Sequence, residues 1–234
     1  MQSVLANVRP EDAALVTRKL RLIWKDPKTS RYHAVGQFES LSDGRYAFAY
    51  LPEAHDLSGF NPLIQFPEPA RVYMFETLPA FLGNRVLSRR RSSYGEYVGW
   101  LGLAEDATPM EILARTGGER ATDTFHVVDA FEEVDGRCEG RFFISGIRHR
   151  DPSAVDRLVP GQELSLRDEP GNPVNPQAIL LTATGSEVGW VPDWLVETIH
   201  ALRARRAIRV QVERLNPQAP LRLAVLCQLE TVRG

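Results

Sequence analysis

The sequence predicts an α+β protein, with a small antiparallel sheet and helices in its first half and a small OB-like β-barrel carrying one helix in its second. Short segments in both halves alternate apolar with polar residues, which is the period of a β-strand. Between the two sets of strands, apolar residues recur at the spacing of a helix. Gly, Pro and Asn separate the strands of the second half, and a curled sheet of short strands removes its exposed edges by closing into a barrel.

The first half contains three predicted strands, at 17–24, 33–39 and 45–50. Aromatic residues alternate with alanines in the last of them, so one face of that strand is apolar. Residues 42–44 (Ser-Asp-Gly) form a natural turn between the second and third strands. These segments predict a small antiparallel sheet.

Helices are predicted at 78–91 and 94–103 from the spacing of their apolar residues. A third helix is predicted after Thr108, because threonine is a good N-cap and Pro109 fits the first helical position.

Residues 134–140 (VDGRCEG) are polar, rich in turn formers and without periodicity, so the domain boundary is predicted there. The predicted domains are 1–135 and 136–234. A helix is expected to begin at Asp193, with this residue as its N-cap. Strands are predicted at 141–147, 162–167, 178–183, 187–191, 208–213 and 221–229.

Composition predicts a cytoplasmic protein with neither a membrane span nor a bound metal or cofactor. The net charge is −2 and no apolar run approaches the length of a bilayer. Cys138 and Cys227 belong to no Cys or His cluster, which excludes a zinc motif and favours a reducing compartment.

No catalytic motif is present, so the chain is predicted not to be an enzyme. His149-Arg150-Asp151 matches the start of a kinase catalytic loop, but Asp156 stands where the metal-binding Asn is needed. The sequence has no glycine-rich phosphate loop, and no carboxylate pair is marked as catalytic.

Three motifs of the second half, in this order, resemble the HIRAN domain: GIRHRDP (146–152), LVPGQELSLRDEPGNPVNPQAI (158–179) and VGWVPDWL (188–195). The resemblance implies an OB-like barrel that binds single-stranded DNA and captures its 3′ end. The loop within the second motif would then form part of the pocket wall.

The resemblance also implies a set of DNA-binding residues. Arg148 matches the cation of the family, His149 its aromatic position and Trp190 the ring after Val-Gly. Asn175 stands where the family often carries an aspartate for the terminal hydroxyl, and Val174 where an aromatic residue is common.

Structural roles for the same side chains stay open beside the functional ones. Trp190 can cover the core, Arg148 can pair with a carboxylate, and Asn172 and Asn175 can serve the turn alone. The functional role is favoured for Arg148 and the structural role for Asn172.

The first half resembles the N-terminal subdomain of HipA-type serine/threonine kinases over roughly 17–131. The resemblance lies in 35–52 (VGQFESLSDGRYAFAYLP), 61–67 (NPLIQFP), 75–90 (FETLPAFLGNRVLSRR) and 97–103 (YVGWLGL). In that family the subdomain packs on a kinase core, which this sequence lacks, and it also occurs alone in toxin-antitoxin operons.

Together the two resemblances predict a noncatalytic bacterial protein that binds single-stranded DNA ends through 136–234. Its first domain is expected to dock a HipA-like kinase or another partner. The alternative is a purely protein-binding adaptor or antitoxin-type subunit without DNA binding, and a remote third is a subunit that completes a nuclease or helicase site.

Overall fold

A computed structural model describes residues 15–120 and 122–232. The chain divides into two compact units. The first comprises the residues up to Tyr94 together with Asp106–Ala130, and the second comprises Gly95–Glu105 together with the residues from Phe131 onward.

The first unit is built on a five-stranded antiparallel sheet, hydrogen-bonded in the order β4-β3-β2-β1-β5. Its strands are β1 (Val16–Lys25), β2 (Tyr32–Leu41), β3 (Tyr46–Tyr50), β4 (Tyr73–Phe75) and β5 (Phe125–Asp129). The three predicted strands are confirmed, since β1, β2 and β3 lie where their alternation placed them. The edge strands β4 and β5 were not predicted.

The helices of the first part of the chain are α1 (Ala80–Gly83), α2 (Tyr94–Trp100) and α3 (Pro109–Thr116). The prediction for α3 is confirmed, because the Thr108 side chain and Glu111 form a reciprocal capping box. No helix within residues 15–120 and 122–232 is long and apolar enough to cross a membrane.

The helix predicted at 78–91 is wrong, because only α1 forms there. The Gly83-Asn84 pair is a helix-stop signal, and Asn84 is the C-cap of α1. Beyond it, the Arg85 side chain is only 1% exposed and donates to the Gly118 and Phe125 carbonyls. These long-range bonds replace a further helical turn that local spacing would allow.

The second unit is built on a seven-stranded sheet, hydrogen-bonded in the order β10-β9-β8-β11-β12-β7-β6. It also contains α4 (Pro152–Asp156) and α5 (Asp193–Arg203). Most of the predicted strands are confirmed near their expected places. The strand predicted at 141–147 instead begins at Arg137 and ends at Phe143, and the last strand begins at Val225 and not at 221. The strands are β6 (Glu133–Val134), β7 (Arg137–Phe143), β8 (Glu163–Asp168), β9 (Ile179–Ala183), β10 (Ser186–Trp190), β11 (Ile208–Leu215) and β12 (Val225–Thr231).

The predicted OB-like barrel is not closed. The chain just after β7 meets the end of β10 through a single bridge, in which the Ser145 and Trp190 backbones exchange two N–H to C=O bonds of 2.8 Å. A Cβ at Gly189 would lie 2.5 Å from the Ser145 carbonyl oxygen, so glycine is needed for this approach. One bridge is too little for a ladder, and the sheet stays open.

Phe131 joins the core of the second unit although it precedes the predicted boundary. Its side chain is buried, and a Cβ at Gly140 would come within 1.8 Å of the Phe131 ring. The Phe131 carbonyl also accepts a bond from the Cys138 thiol at 3.2 Å. Beginning a fragment after residue 135 therefore removes part of this core.

We expect a fragment of residues 131–234 to unfold at a higher urea concentration than a fragment of residues 136–234. The loss of a buried Phe side chain costs about 3 kcal/mol, and both fragments lack Gly95–Glu105 equally. Circular dichroism during urea titration measures the difference, and Phe131→Ala in the intact chain is the matched control. Equal midpoints would support a boundary at residue 135.

Candidate nucleic-acid interface

Arg148 and His149 lie on a 3-10 turn, Ile147–His149, that directly follows the bridge to β10. The Ile147 side chain is buried in the core, while Arg148 and His149 are both exposed. The Arg148 Nε–H donates to His149 Nε2 at 3.0 Å, so the imidazole accepts in this contact. The core fixes the turn and leaves its cation and ring in solvent.

Trp190 is the last residue of β10 and is half-buried. Its indole Nε1–H donates to the Glu169 carboxylate at 2.6 Å, and the Arg150 guanidinium lies 4.0 Å from the ring centroid. A Cβ at Gly146 would come within 2.5 Å of the same ring. Trp190 therefore contacts both the start of the 3-10 turn and the start of the loop after β8.

Glu169 is the common acceptor at this place. Besides Trp190, it accepts from the Asn172 amide at 2.7 Å and from the Arg150 guanidinium at 3.3 Å. The Asn172 hydrogen bond, then that from Trp190, and to a lesser degree the charge of Arg150 lower the pKa of Glu169 below its ordinary value. The carboxylate therefore stays ionised, and its hydrogen bonds connect the loop after β8, the end of β10 and the residue after the 3-10 turn.

Arg150 was not predicted as part of the site. Its guanidinium pairs with Glu169 and, at 2.8 Å, with Glu187, which in turn pairs with Arg167. The signal in the sequence was the second arginine of GIRHRDP, but its partners lie in the loop after β8 and in β10, and only the fold brings them together. Because two carboxylates neutralise Arg150, it is a structural cation.

The loop between β8 and β9 is held by its own asparagines. Asn172 Oδ1 accepts from the Val174 and Asn175 backbone N–H groups at 2.9 and 3.1 Å, which confirms the structural role predicted for Asn172. Asn175 Oδ1 accepts from the Gln177 N–H at 2.9 Å. These are the local side chain to backbone bonds that make asparagine a turn former.

Asn175 also ties the loop to α5, because its Nδ2 donates to Asp193 Oδ1 at 2.9 Å. The prediction that Asp193 caps this helix is wrong. Pro192 is the N-cap and makes no side-chain bond, and Asp193 is the first helical residue. Its carboxylate holds Asn175 instead of a backbone N–H.

The four predicted residues thus gather around the end of β10, although the only direct contact described among them joins Arg148 and His149. Trp190 and Asn175 are held through Glu169 and Asp193. Val174 is 71% exposed at the loop, where an apolar side chain is free to touch a ligand.

A shallow cavity of about 370 Å³ lies beside the 3-10 turn. It is lined by His149, Arg150, Asp151, Ala154, Ser186 and Glu187. The Arg150 guanidinium at this cavity is already paired with Glu187, and the Asp151 carboxylate accepts from Ser153, so this side of the turn offers no unpaired guanidinium among the lining residues. Within residues 15–120 and 122–232, no cluster of His, Cys, Asp and Glu is suited to hold a metal ion.

Comparisons with known proteins give weak likenesses. No family model and no curated protein matches the chain. A crystal structure of a protein from Lactobacillus plantarum is 17% identical, with a TM-score of 0.33, over 41% of this chain and 97% of that chain. The crystal structure of the HIRAN domain of human HLTF is 18% identical, with a TM-score of 0.29, over 40% of this chain and 71% of that chain. TM-scores this low do not establish a shared fold, and the resemblance of the first half to HipA-type kinases stays a prediction.

We expect Glu169→Gln to destabilise the protein at pH 7 by about 1 to 2 kcal/mol, because hydrogen bonds to a charged acceptor are stronger than those to an amide. The lowered pKa of Glu169 means that its contribution is complete above the ordinary value of 4.5 and is lost as pH falls through the folded value.

The difference in unfolding free energy between wild type and Glu169→Gln should therefore shrink below about pH 4.5. Urea unfolding at a series of pH values measures it. Glu197→Gln, an exposed change on α5, is the control. A difference that stays constant down to pH 3 would contradict the role given to the carboxylate.

Proposed function

We propose that the second unit binds the 3′ end of single-stranded DNA and that the protein is noncatalytic. The observation that carries this proposal is Arg148, an exposed arginine with no carboxylate partner among the residues described. It lies on a turn that the core fixes, beside a loop that four side-chain bonds hold in place.

An unpaired cation on a fixed turn suits a phosphate. A guanidinium that already has a carboxylate must exchange one anion for another, whereas Arg148 gives up only a contact with His149. Ordering costs are small because the backbone on both sides is already held. Arg148 is therefore the phosphate-binding residue of the proposal.

The exposed His149 ring is the better stacking surface of the two predicted rings. Arg150 already covers one face of the Trp190 indole, and a base would have to displace it from there. Aromatic faces bind bases of single strands with little sequence preference. In the proposal, His149 stacks on a base while Trp190 keeps the loop and the turn together.

For the first unit we propose a docking role, toward a HipA-like kinase or another protein partner. Its support is the sequence resemblance together with exposed apolar side chains, above all Ile64, which is 95% exposed. Co-purification from the native locus, compared between wild type and Ile64→Ser, tests this role. Absence of any protein partner would leave it without support.

We expect Arg148→Ala to weaken binding of a short single-stranded DNA by about 1 to 3 kcal/mol, because a charge-assisted phosphate contact is lost. Fluorescence anisotropy at fixed salt measures the affinity. Arg205→Ala removes an exposed cation after α5 and should leave the affinity unchanged. If wild type binds no single-stranded DNA, the result favours the alternative function, a purely protein-binding adaptor.

The pair formed by Asn175 and Asp193 gives a test of selectivity for the end. Asn175→Asp alone places two carboxylates in contact, so we expect it to destabilise the loop. The double variant Asn175→Asp, Asp193→Asn reverses the pair and keeps its hydrogen bond.

With a carboxylate at position 175, the double variant should disfavour a 3′-phosphate relative to a 3′-hydroxyl by about 1 kcal/mol more than wild type does. Paired titrations with strands that differ only in the terminal group measure this. Asp193→Asn alone is the control, and equal discrimination by wild type and the double variant would remove Asn175 from the site.

A further inference from the structure

The structure points to a second phosphate-binding residue, Arg222, which would hold the phosphate next to the one held by Arg148. This inference rests on the proposed function and extends it, since it gives the bound strand a direction along the surface. Three observations on residues 221–223, which were predicted to begin a strand, support it. They are the packing of this segment, the exposure of Arg222 and the lack of an ion pair at Arg222 among the residues described.

Residues Leu221–Leu223 form a 3-10 turn and not the predicted beginning of β12. This turn lies against the 3-10 turn Ile147–His149, which carries Arg148. Arg222 is exposed between buried Leu223 and exposed Leu221. Two short turns from distant parts of the chain thus present one arginine each on neighbouring surface.

A buried amide fixes the second turn. Asn216 is 6% exposed, and its Nδ2 donates to the Leu223 carbonyl at 2.7 Å and to the Trp100 carbonyl at 2.8 Å. The Leu223 N–H donates to the Pro220 carbonyl at 2.7 Å. The backbone around Arg222 is therefore set before any ligand arrives, as it is around Arg148.

Ion pairing separates Arg222 from most other arginines of the second unit. No carboxylate pairs with Arg148 or Arg222 among the residues that the structure describes. The arginines that do pair with a carboxylate are Arg141, Arg150, Arg157, Arg167, Arg203, Arg206 and Arg209.

The charge on the two sides of the first turn favours a path over Arg222. On the side of the cavity, the lining arginine is Arg150, which already pairs with Glu169 and Glu187 and so offers little to a phosphate backbone. On the side of the Leu221–Leu223 turn lies Arg222, an exposed arginine with no carboxylate partner among the residues described. A strand whose end reaches the loop near Asn175 would continue from Arg148 toward Arg222.

The dependence of affinity on salt counts phosphate contacts and so tests this inference. On single strands the slope of log K against log salt concentration is negative, and each lost contact reduces its magnitude by about 0.7. With a short oligothymidine as probe, we expect a decrease of about 0.7 for Arg222→Ala, the same for Arg148→Ala, and about 1.4 for the double variant. Arg222→Lys should keep the wild-type slope, because the charge remains.

Arg205→Ala is the matched control, and thermal melting confirms that each exposed substitution leaves the fold intact. A wild-type slope in Arg222→Ala, with a reduced slope in Arg148→Ala, would overturn the role of Arg222 and leave the proposed function in place. An equal decrease in Arg205→Ala would also overturn it, since the effect would be one of general charge. Wild type without salt-dependent binding would overturn the proposed function itself.

Discussion

The arrangement of the candidate site in the second unit depends on a single ionised carboxylate, that of Glu169. It accepts from an amide of its own loop, from the indole at the end of β10 and from the guanidinium of Arg150. Such donors stabilise a half-buried carboxylate in its ionised form, and each donor comes from a different segment. Without it, the Trp190 N–H and the Asn172 amide would lose their partner together, and the loop would lose its fixed place beside the 3-10 turn.

The arginines of this unit fall into two groups, those that pair with carboxylates and those that do not. Arg150 and Arg167 are neutralised by Glu169 and Glu187, so they stabilise the arrangement of strands and offer little to an incoming anion. Arg148 and Arg222 lie on turns whose backbones are fixed by buried neighbours, and they keep their charge for solvent or a ligand. The small net charge of the chain therefore says little about this surface, because ion pairing decides which guanidinium groups are available to an anion.

The first unit uses a different solution, an aromatic core under an antiparallel sheet. The Phe38 and Phe48 rings lie 4.4 Å apart between centroids, and Phe48 and Phe66 lie 4.7 Å apart. Arg85 is buried beside them, where its guanidinium lies 4.3 Å from the Phe81 centroid and pairs with Asp123. These contacts stabilise the core of the first unit. The docking role proposed for this unit rests on exposed residues such as Ile64.

The sequence by itself determined the features that depend on neighbours in the chain. Alternation located β1, β2, β3 and most strands of the second unit, and Thr108 with Pro109 located the start of α3. The resemblance of three motifs to the HIRAN domain implied Arg148, His149, Asn175 and Trp190 as one group. Local bonds of Asn172 with its own loop were also predictable, because the residues involved are two or three positions apart.

Only the tertiary structure decided which distant groups meet. Within the helix predicted at 78–91, the Arg85 side chain is buried and donates to the Gly118 carbonyl. The barrel stays open apart from one bridge, and the Asp193 carboxylate accepts from Asn175. The tertiary structure also paired Arg150 with Glu169 and Glu187 and turned Leu221–Leu223 out of β12. In the sequence, any arginine could pair with any of many carboxylates. Burial and backbone position select the actual partner, and the periodicity of a sequence carries no information on either.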